Sequence, residues 1–263
     1  MRRTFVCCVV LVVAAACSHK TAPVAPPVAP VTPVFESPSL AVESPSTAAS
    51  SSASRCSNEQ AVVTNESFRL PGSIAGDVDG DGLSDRVQLA LDRAAGPGCQ
   101  AFLVVQTGSA IISGAIDAWS LEGGLPQPRL HSVAQINGTG GDDVIVDVAA
   151  GASSQFVSVL ADVDGALAPL AFEKNAPGGF KDMFAYGGSV GHVDGADCAP
   201  DGGVVVSSAV AGGTGYRVTR LFFTVHGATL KADPSRNQTS SAPLDGLARF
   251  PEFPAAPFGT CPG

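Results

Sequence analysis

From residue 56 onward, glycine and proline interrupt every apolar run before it could complete three helical turns, with 30 Gly and 20 Pro in 263 residues. The runs themselves are short and rich in Val, Leu, Ile and Phe: Val87 to Leu91, Ala101 to Gln106, Val144 to Val148, Phe156 to Leu160, Val204 to Val206 and Tyr216 to Val225. Such runs read as strands, and the clusters between them as turns. Asp117 to Leu121 and Gly179 to Phe184 leave room for brief helical turns only. The expected fold class is all-β: a sandwich, barrel or propeller.

The first fifty-five residues have a different character. Arg2 and Arg3 precede an uncharged apolar stretch, Phe5 to Ala16, which ends in Ala14-Ala15-Ala16 before Cys17. A dozen apolar residues fall short of the roughly 20 needed to span a bilayer, and Ser18, His19 and Lys20 follow at once, so the layout is that of a signal peptide. A small-residue triplet ending in cysteine resembles the lipobox of bacterial lipoproteins. That resemblance implies cleavage after residue 16 and a diacylglycerol on Cys17, with Ala14 departing from the usual leucine. Ordinary cleavage near Ala16 with a freely secreted product is the alternative. Residues 17–55 then carry Pro23, Pro26, Pro27, Pro30, Pro33, Pro38 and Pro45 among Ala, Val, Ser and Thr, without helical or strand periodicity. They read as a tether, part polyproline II and part flexible coil, ahead of one domain over 56–263.

The formal net charge of -9 argues against nucleic acid and against anionic headgroups as partners of the domain, since no Lys/Arg cluster offsets it. Membrane contact is expected through the lipid anchor alone, and any envelope or extracellular partner is unspecified. Of seven cysteines, Cys7 and Cys8 leave with the signal peptide and Cys17 takes lipid. Cys56, Cys99, Cys198 and Cys261 remain, an even set that suggests two disulfides in an oxidising compartment. Three pairings are possible. The expected one joins Cys56 to Cys99 and Cys198 to Cys261, because each pair brackets one half of the domain. Without a Cys-x-x-Cys pair there is no support for a zinc or dithiol redox site.

One loop carries chemistry. Asp77-Val78-Asp79-Gly80-Asp81-Gly82-Leu83-Ser84-Asp85 places carboxylates at positions 1, 3, 5 and 9 and a glycine at position 6, with the Leu83 carbonyl available at position 7. Alternating hard oxygen ligands on a sharply turning backbone suit Ca²⁺. An EF-hand would have glutamate at position 12, where this chain has Gln88, and strand-like flanks replace the helices. The expectation is a β-loop-β calcium site at Asp77, Asp79, Asp81, Leu83 and Asp85, against the plainer reading of an acidic hairpin turn.

The motif resembles the FG-GAP or VCBS-type repeats of integrin-like β-propellers, including the lipid-anchored versions in high-GC Gram-positive bacteria. It recurs 58 residues on as Gln135-Ile136-Asn137-Gly138-Thr139-Gly140-Gly141-Asp142-Asp143, which keeps both glycines and the final aspartate. Gln135 and Thr139 replace two carboxylates there, so a turn without an ion is expected. A fainter third copy begins at His192-Val193-Asp194-Gly195, and Asp162-Val163-Asp164-Gly165 reads as a plain hairpin turn. The resemblance implies a small or incomplete propeller-like arrangement, with a β-sandwich as the alternative.

Catalytic constellations are sparse. Gly187-Gly188-Ser189-Val190-Gly191 fits Gly-x-Ser-x-Gly, with Asp194 and His226 downstream in Ser, Asp, His order. Gly195 and Pro200 oppose the helix such an elbow requires, and no alternating α/β pattern surrounds it. His131 and His192 have no second ligand at helical spacing, and Trp119 reads as packing. The expected function is a membrane-anchored, extracytoplasmic, calcium-stabilised and non-enzymatic binding or envelope-associated module. The alternative is a cell-surface serine hydrolase using Ser189.

Overall fold

The computed structural model describes residues 55–174, 177–254 and 256–262. The signal segment, Cys17 and the tether up to residue 54 lie outside them. Among the described residues, fifteen strands make two sheets and no helix is long and apolar enough to cross a membrane.

The first sheet is an antiparallel meander of β1 (Ile74–Gly76), β2 (Asp85–Leu91), β3 (Ala101–Gln106) and β4 (Ile111–Ala115). The second contains β5 (Arg129–Ala134), β6 (Asp143–Ala150), β7 (Ser154–Val163), β8 (Ala166–Pro169), β9 (Ala171–Phe172), β10 (Phe184–Ser189), β11 (His192–Cys198), β12 (Val204–Gly212), β13 (Gly215–His226), β14 (Thr229–Ala232) and β15 (Gln238–Pro243). Its order is β5-β6-β7-β10-β11-β12-β13-β14-β9, with β8 also on β7 and β15 also on β13. The long strands explain this branching: the outer edge of β7 pairs with β10 at one end and β8 at the other, and β13 is shared likewise by β15 and β14. The sheet curls until β9, which follows directly on β8, pairs in parallel with β14. Its order nevertheless ends at β5 and β9, so no closed ring forms among the described residues.

Packing follows from the apolar runs. Val87, Leu89, Leu103 and Val105 of the first sheet bury against Val144, Val146, Val148 and Leu160 of the second. The opposite side of β6 and β7, through Ile145, Val157 and Val159, joins Phe184, Val204, Val206 and Phe223 in another core. Strands buried on both faces need continuous apolar sequence instead of alternation, which Val144-Ile145-Val146 supplies. The fold is thus all-β, and its sheets meet face to face as in a sandwich. A six-residue helix, α1 (Glu59–Thr64), lays Val62 and Val63 on Ala90, Phe102 and Val104, covering the outer face of the first sheet. Leu247, Phe250 and Phe253 of the C-terminal segment do the same for Ala209, Tyr216 and Val218.

Both disulfides have the expected partners, Cys56 with Cys99 and Cys198 with Cys261. The Asp162 segment is the hairpin turn between β7 and β8, with Asp164 at φ 56° and Gly165 at φ 81°, as a two-residue turn of the right hand requires. Trp119 is buried in the core beneath the first sheet. Of the two brief helical segments, one turn lies at Leu121–Gly123 and another at Pro177–Gly179, while Phe184 already begins β10.

The third repeat is corrected. His192 to Gly195 do not form a loop but lie inside β11, paired with β12. The connection in the equivalent place is the shorter run between Cys198 and Val204. It ends in Gly203, where an added Cβ would lie 2.2 Å from the Phe223 carbonyl oxygen, and β12 opens on Val204 where β2 and β6 open on Asp85 and Asp143.

Candidate metal centre

The loop between β1 and β2 is built by its own aspartates. The N–H groups of Val78 and Asp79 donate to Asp85 Oδ2 at 2.9 and 3.3 Å, Gly82 N–H donates to Asp77 Oδ2 at 2.9 Å, and Asp81 N–H donates to Asp79 Oδ1 at 3.2 Å. Gly80 and Gly82 sit at φ 74° and 84°, a region open to glycine at little cost, which lets the chain turn tightly enough to aim these groups inward. Asp85 is anchored as the first residue of β2 and is buried.

Asp77, Asp79 and Asp85 each bring one oxygen into a group whose members lie within 4.8 Å of one another. Each has one carboxylate oxygen engaged by backbone N–H groups, and among the described residues the other meets no donor. Asp77 Oδ1 is buried with no hydrogen-bond partner among the described residues. Burial, reinforced by the Asp79 and Asp81 charges and opposed by the Val78 and Asp79 N–H groups, raises the Asp85 carboxyl above the ordinary carboxylate range. Three converging carboxylates of this kind could hold a hard cation. Asp81 stands outside the trio: it is exposed, and its Oδ1 accepts from Leu83 N–H at 2.7 Å. The Leu83 side chain points to solvent, 63% exposed.

The second loop repeats the scaffold with fewer carboxylates, keeping Asp142 and Asp143. Ile136 and Asn137 N–H both donate to Asp143 Oδ2 at 2.7 Å, matching Val78 and Asp79 on Asp85. Gly138 and Gly140 adopt φ 72° and 97°, matching Gly80 and Gly82. Asn137 replaces a carboxylate here, and its Oδ1 accepts from Thr139 N–H and Oγ1. This loop survives as a turn. Burial pushes the Asp143 carboxyl up to about 7, with the Asp142 charge adding and the two N–H bonds opposing.

Asp142 is the functional residue that sequence reasoning passed over. Its Oδ2 accepts from Asp77 N–H at 2.9 Å, and its own N–H donates to the Asp77 carbonyl at 2.6 Å, so the second loop clasps the first. Gly141 makes this approach possible, since a Cβ there would lie 2.5 Å from the Val78 carbonyl oxygen. The only sequence signal was the doubled aspartate at the end of the repeat.

The catalytic candidates are placed differently. Ser189 is exposed at the tip of the β10–β11 hairpin, opposite His192, and this is a strand-to-strand turn instead of an elbow into a helix. Asp194 pairs with His192 Nε2 at 2.7 Å, while His226 ends β13 with Thr224 Oγ1 3.3 Å from its Nε2. Among the described residues no hydrogen bond links Ser189 to Asp194 or His226. His131 faces Asp147, 3.3 Å from Nδ1 to Oδ1, and stands apart from the His192 pair. Comparison with protein-family models, curated proteins and solved structures finds no match to the chain.

Proposed function

We propose that the chain is an exported lipoprotein, anchored through Cys17, whose folded part is a calcium-stabilised, non-enzymatic binding module of the cell envelope. The observation that carries the calcium reading is the set of free oxygens on Asp77, Asp79 and Asp85, including the partnerless Asp77 Oδ1. A bound Ca²⁺ would take oxygens from this trio, with the Leu83 carbonyl and Asp81 as the further ligands implied by spacing, and would relieve their mutual repulsion. The repeated hydrogen-bond scheme at Asp85 and Asp143 supports reading the two loops as FG-GAP-type repeats. Two disulfides accord with an oxidising compartment, and the apolar segment ending at Cys17 with export and lipidation.

Calorimetric titration of the purified full chain with Ca²⁺ tests the metal. Saturable heat with a rise in melting temperature is expected; neither at several times about 10⁻³ M, the weak end for extracellular sites, defeats the reading. Fractionation of cells producing the Cys17→Ser variant tests the anchor. Release into the medium or retention of the uncut precursor is expected, and a wild-type protein wholly soluble after export contradicts it.

A further inference from the structure

A pocket of about 280 Å³ opens on one face of the curled sheet, away from the calcium loop. Its polar row is set by register: Ser154 on β7 lies opposite Gly187 on β10, Gly187 opposite Asp194 on β11, Asp194 opposite Ser208 on β12, and Ser208 opposite Thr219 on β13. The next row is apolar, with Val206 opposite Leu221. Phe156 and Met183 line the wall, and Phe180 meets Phe156 edge to face with ring centroids 5.1 Å apart. Phe180 is 38% exposed, one of the few large apolar side chains the fold leaves in water.

Among the described residues, Asp194 is the only carboxylate lining this pocket, neither Lys nor Arg lines it, and its one histidine, His192, is engaged on Asp194 Oδ2. Asp194 is also prepared for a ligand. Its Oδ2 accepts from Ser154 Oγ at 3.3 Å and pairs with His192 Nε2 at 2.7 Å, while its Oδ1 meets no partner among the described residues. The first contact is open because Gly187, between the two residues, has no side chain in the row. An oriented carboxylate with one free oxygen, beside aromatic walls, favours a donor or a cation and disfavours an anion. The volume exceeds that of the roughly 150 Å³ cavity that accepts benzene, leaving room for a ring and a short chain.

We propose that this pocket is a binding site for a small amphiphilic amine, its ammonium group on Asp194 Oδ1 and its apolar body against Phe156, Phe180, Met183 and Leu221. The site stands independently of the calcium reading.

The test is a charge series at near-constant shape, titrated into the purified full chain by calorimetry with Ca²⁺ present throughout: phenethylammonium, 2-phenylethanol and phenylacetate. The amine is expected to bind at least about tenfold tighter than the alcohol, as a charge-assisted hydrogen bond implies, and the carboxylate to give no saturable signal. Asp194→Asn should bring the amine down to the alcohol's affinity and leave the alcohol unchanged, whereas Phe180→Ala should weaken both. Phenylacetate binding as well as the amine, an Asp194→Asn variant with undiminished amine preference, or no amine binding at about 10 mM, a concentration that reveals even very weak sites, would each overturn the proposal. If Asp194→Asn does not fold, the charge series on the unaltered chain decides the matter alone.

Discussion

Asp77 and Asp142, 65 residues apart, are joined by two hydrogen bonds in opposite senses: Asp77 N–H to Asp142 Oδ2 at 2.9 Å, and Asp142 N–H to the Asp77 carbonyl at 2.6 Å. The pair ties the loop of four aspartates to a copy that keeps two, Asp142 and Asp143.

Asp142→Ala removes one acceptor of this clasp and leaves the Asp77 N–H without its partner. A loss of about 1–3 kcal/mol is expected, equivalent to roughly 2–12 °C in melting temperature for a domain of this size. Calcium affinity should fall as well, because the backbone that carries the Asp77 carboxylate loses one of its two ties to the second loop. Thermal unfolding with calcium and with chelator measures both effects, and an unchanged calcium-induced shift would show that the clasp is irrelevant to the site.

Calcium should act through the trio. At a hundredfold excess of free Ca²⁺ over its dissociation constant the domain gains about 2.7 kcal/mol, and at equality about 0.4. Asp79→Ala should erase most of this gain. Asn137→Ala, at the matching place in the second loop, should retain it. Asp81→Ala is expected to fall between them, since its carboxylate stands outside the trio. Differential scanning calorimetry across a calcium series separates the three.

Asp143 gives the domain a pH dependence of definite sign. Its folded pKa, raised to about 7 by burial, exceeds the unfolded value near 3.9, so the folded state holds the proton more tightly. The resulting stability is fully present below about pH 4 and is lost as pH climbs towards and past 7. Asp143→Asn cannot ionise, yet it keeps an oxygen for the N–H groups of Ile136 and Asn137. The melting temperature of the variant relative to wild type should therefore rise between pH 5 and 8 at fixed calcium, by on the order of 5–10 °C. A difference that stays flat over this range would mean that Asp143 is ionised throughout.

The Cys198–Cys261 bridge fixes the C-terminal segment, which places Phe258 in the core and brings Thr260 N–H to Asp197 Oδ1 at 3.1 Å. For the loop it closes, chain entropy assigns about 4 kcal/mol. The Cys198→Ser/Cys261→Ser double variant should unfold roughly 8–16 °C lower and expose the segment to protease before the rest of the domain. Uniform cleavage kinetics would place the cost elsewhere.

The sequence by itself determined what is local. Short Val- and Leu-rich runs between glycines made strands and excluded long helices, because no apolar stretch was long enough to pack a helical face. Glycines at positions 80, 82, 138 and 140 set the loop backbone, and the aspartates that close each loop, Asp85 and Asp143, accept the same pair of N–H groups, so the 58-residue repeat was legible as a pattern. The disulfide pairing was only an expectation among three possibilities, and the structure decided it as Cys56 with Cys99 and Cys198 with Cys261. What spans the chain was decided only by tertiary structure. That β7 is long enough to carry both β8 and β10, and so merges the later strands into one curled sheet, depends on packing against both cores at once. The third copy, His192 to Gly195, lies inside β11 because it pairs residue for residue with Ser207 to Val210 of β12. Asp142 became a clasp on Asp77, and Asp194 was oriented by Ser154, through neighbours tens of residues away. Loop conformation depends on φ preferences and hydrogen bonds between near neighbours, whereas these contacts depend on which faces bury against each other, and no short stretch of sequence records that.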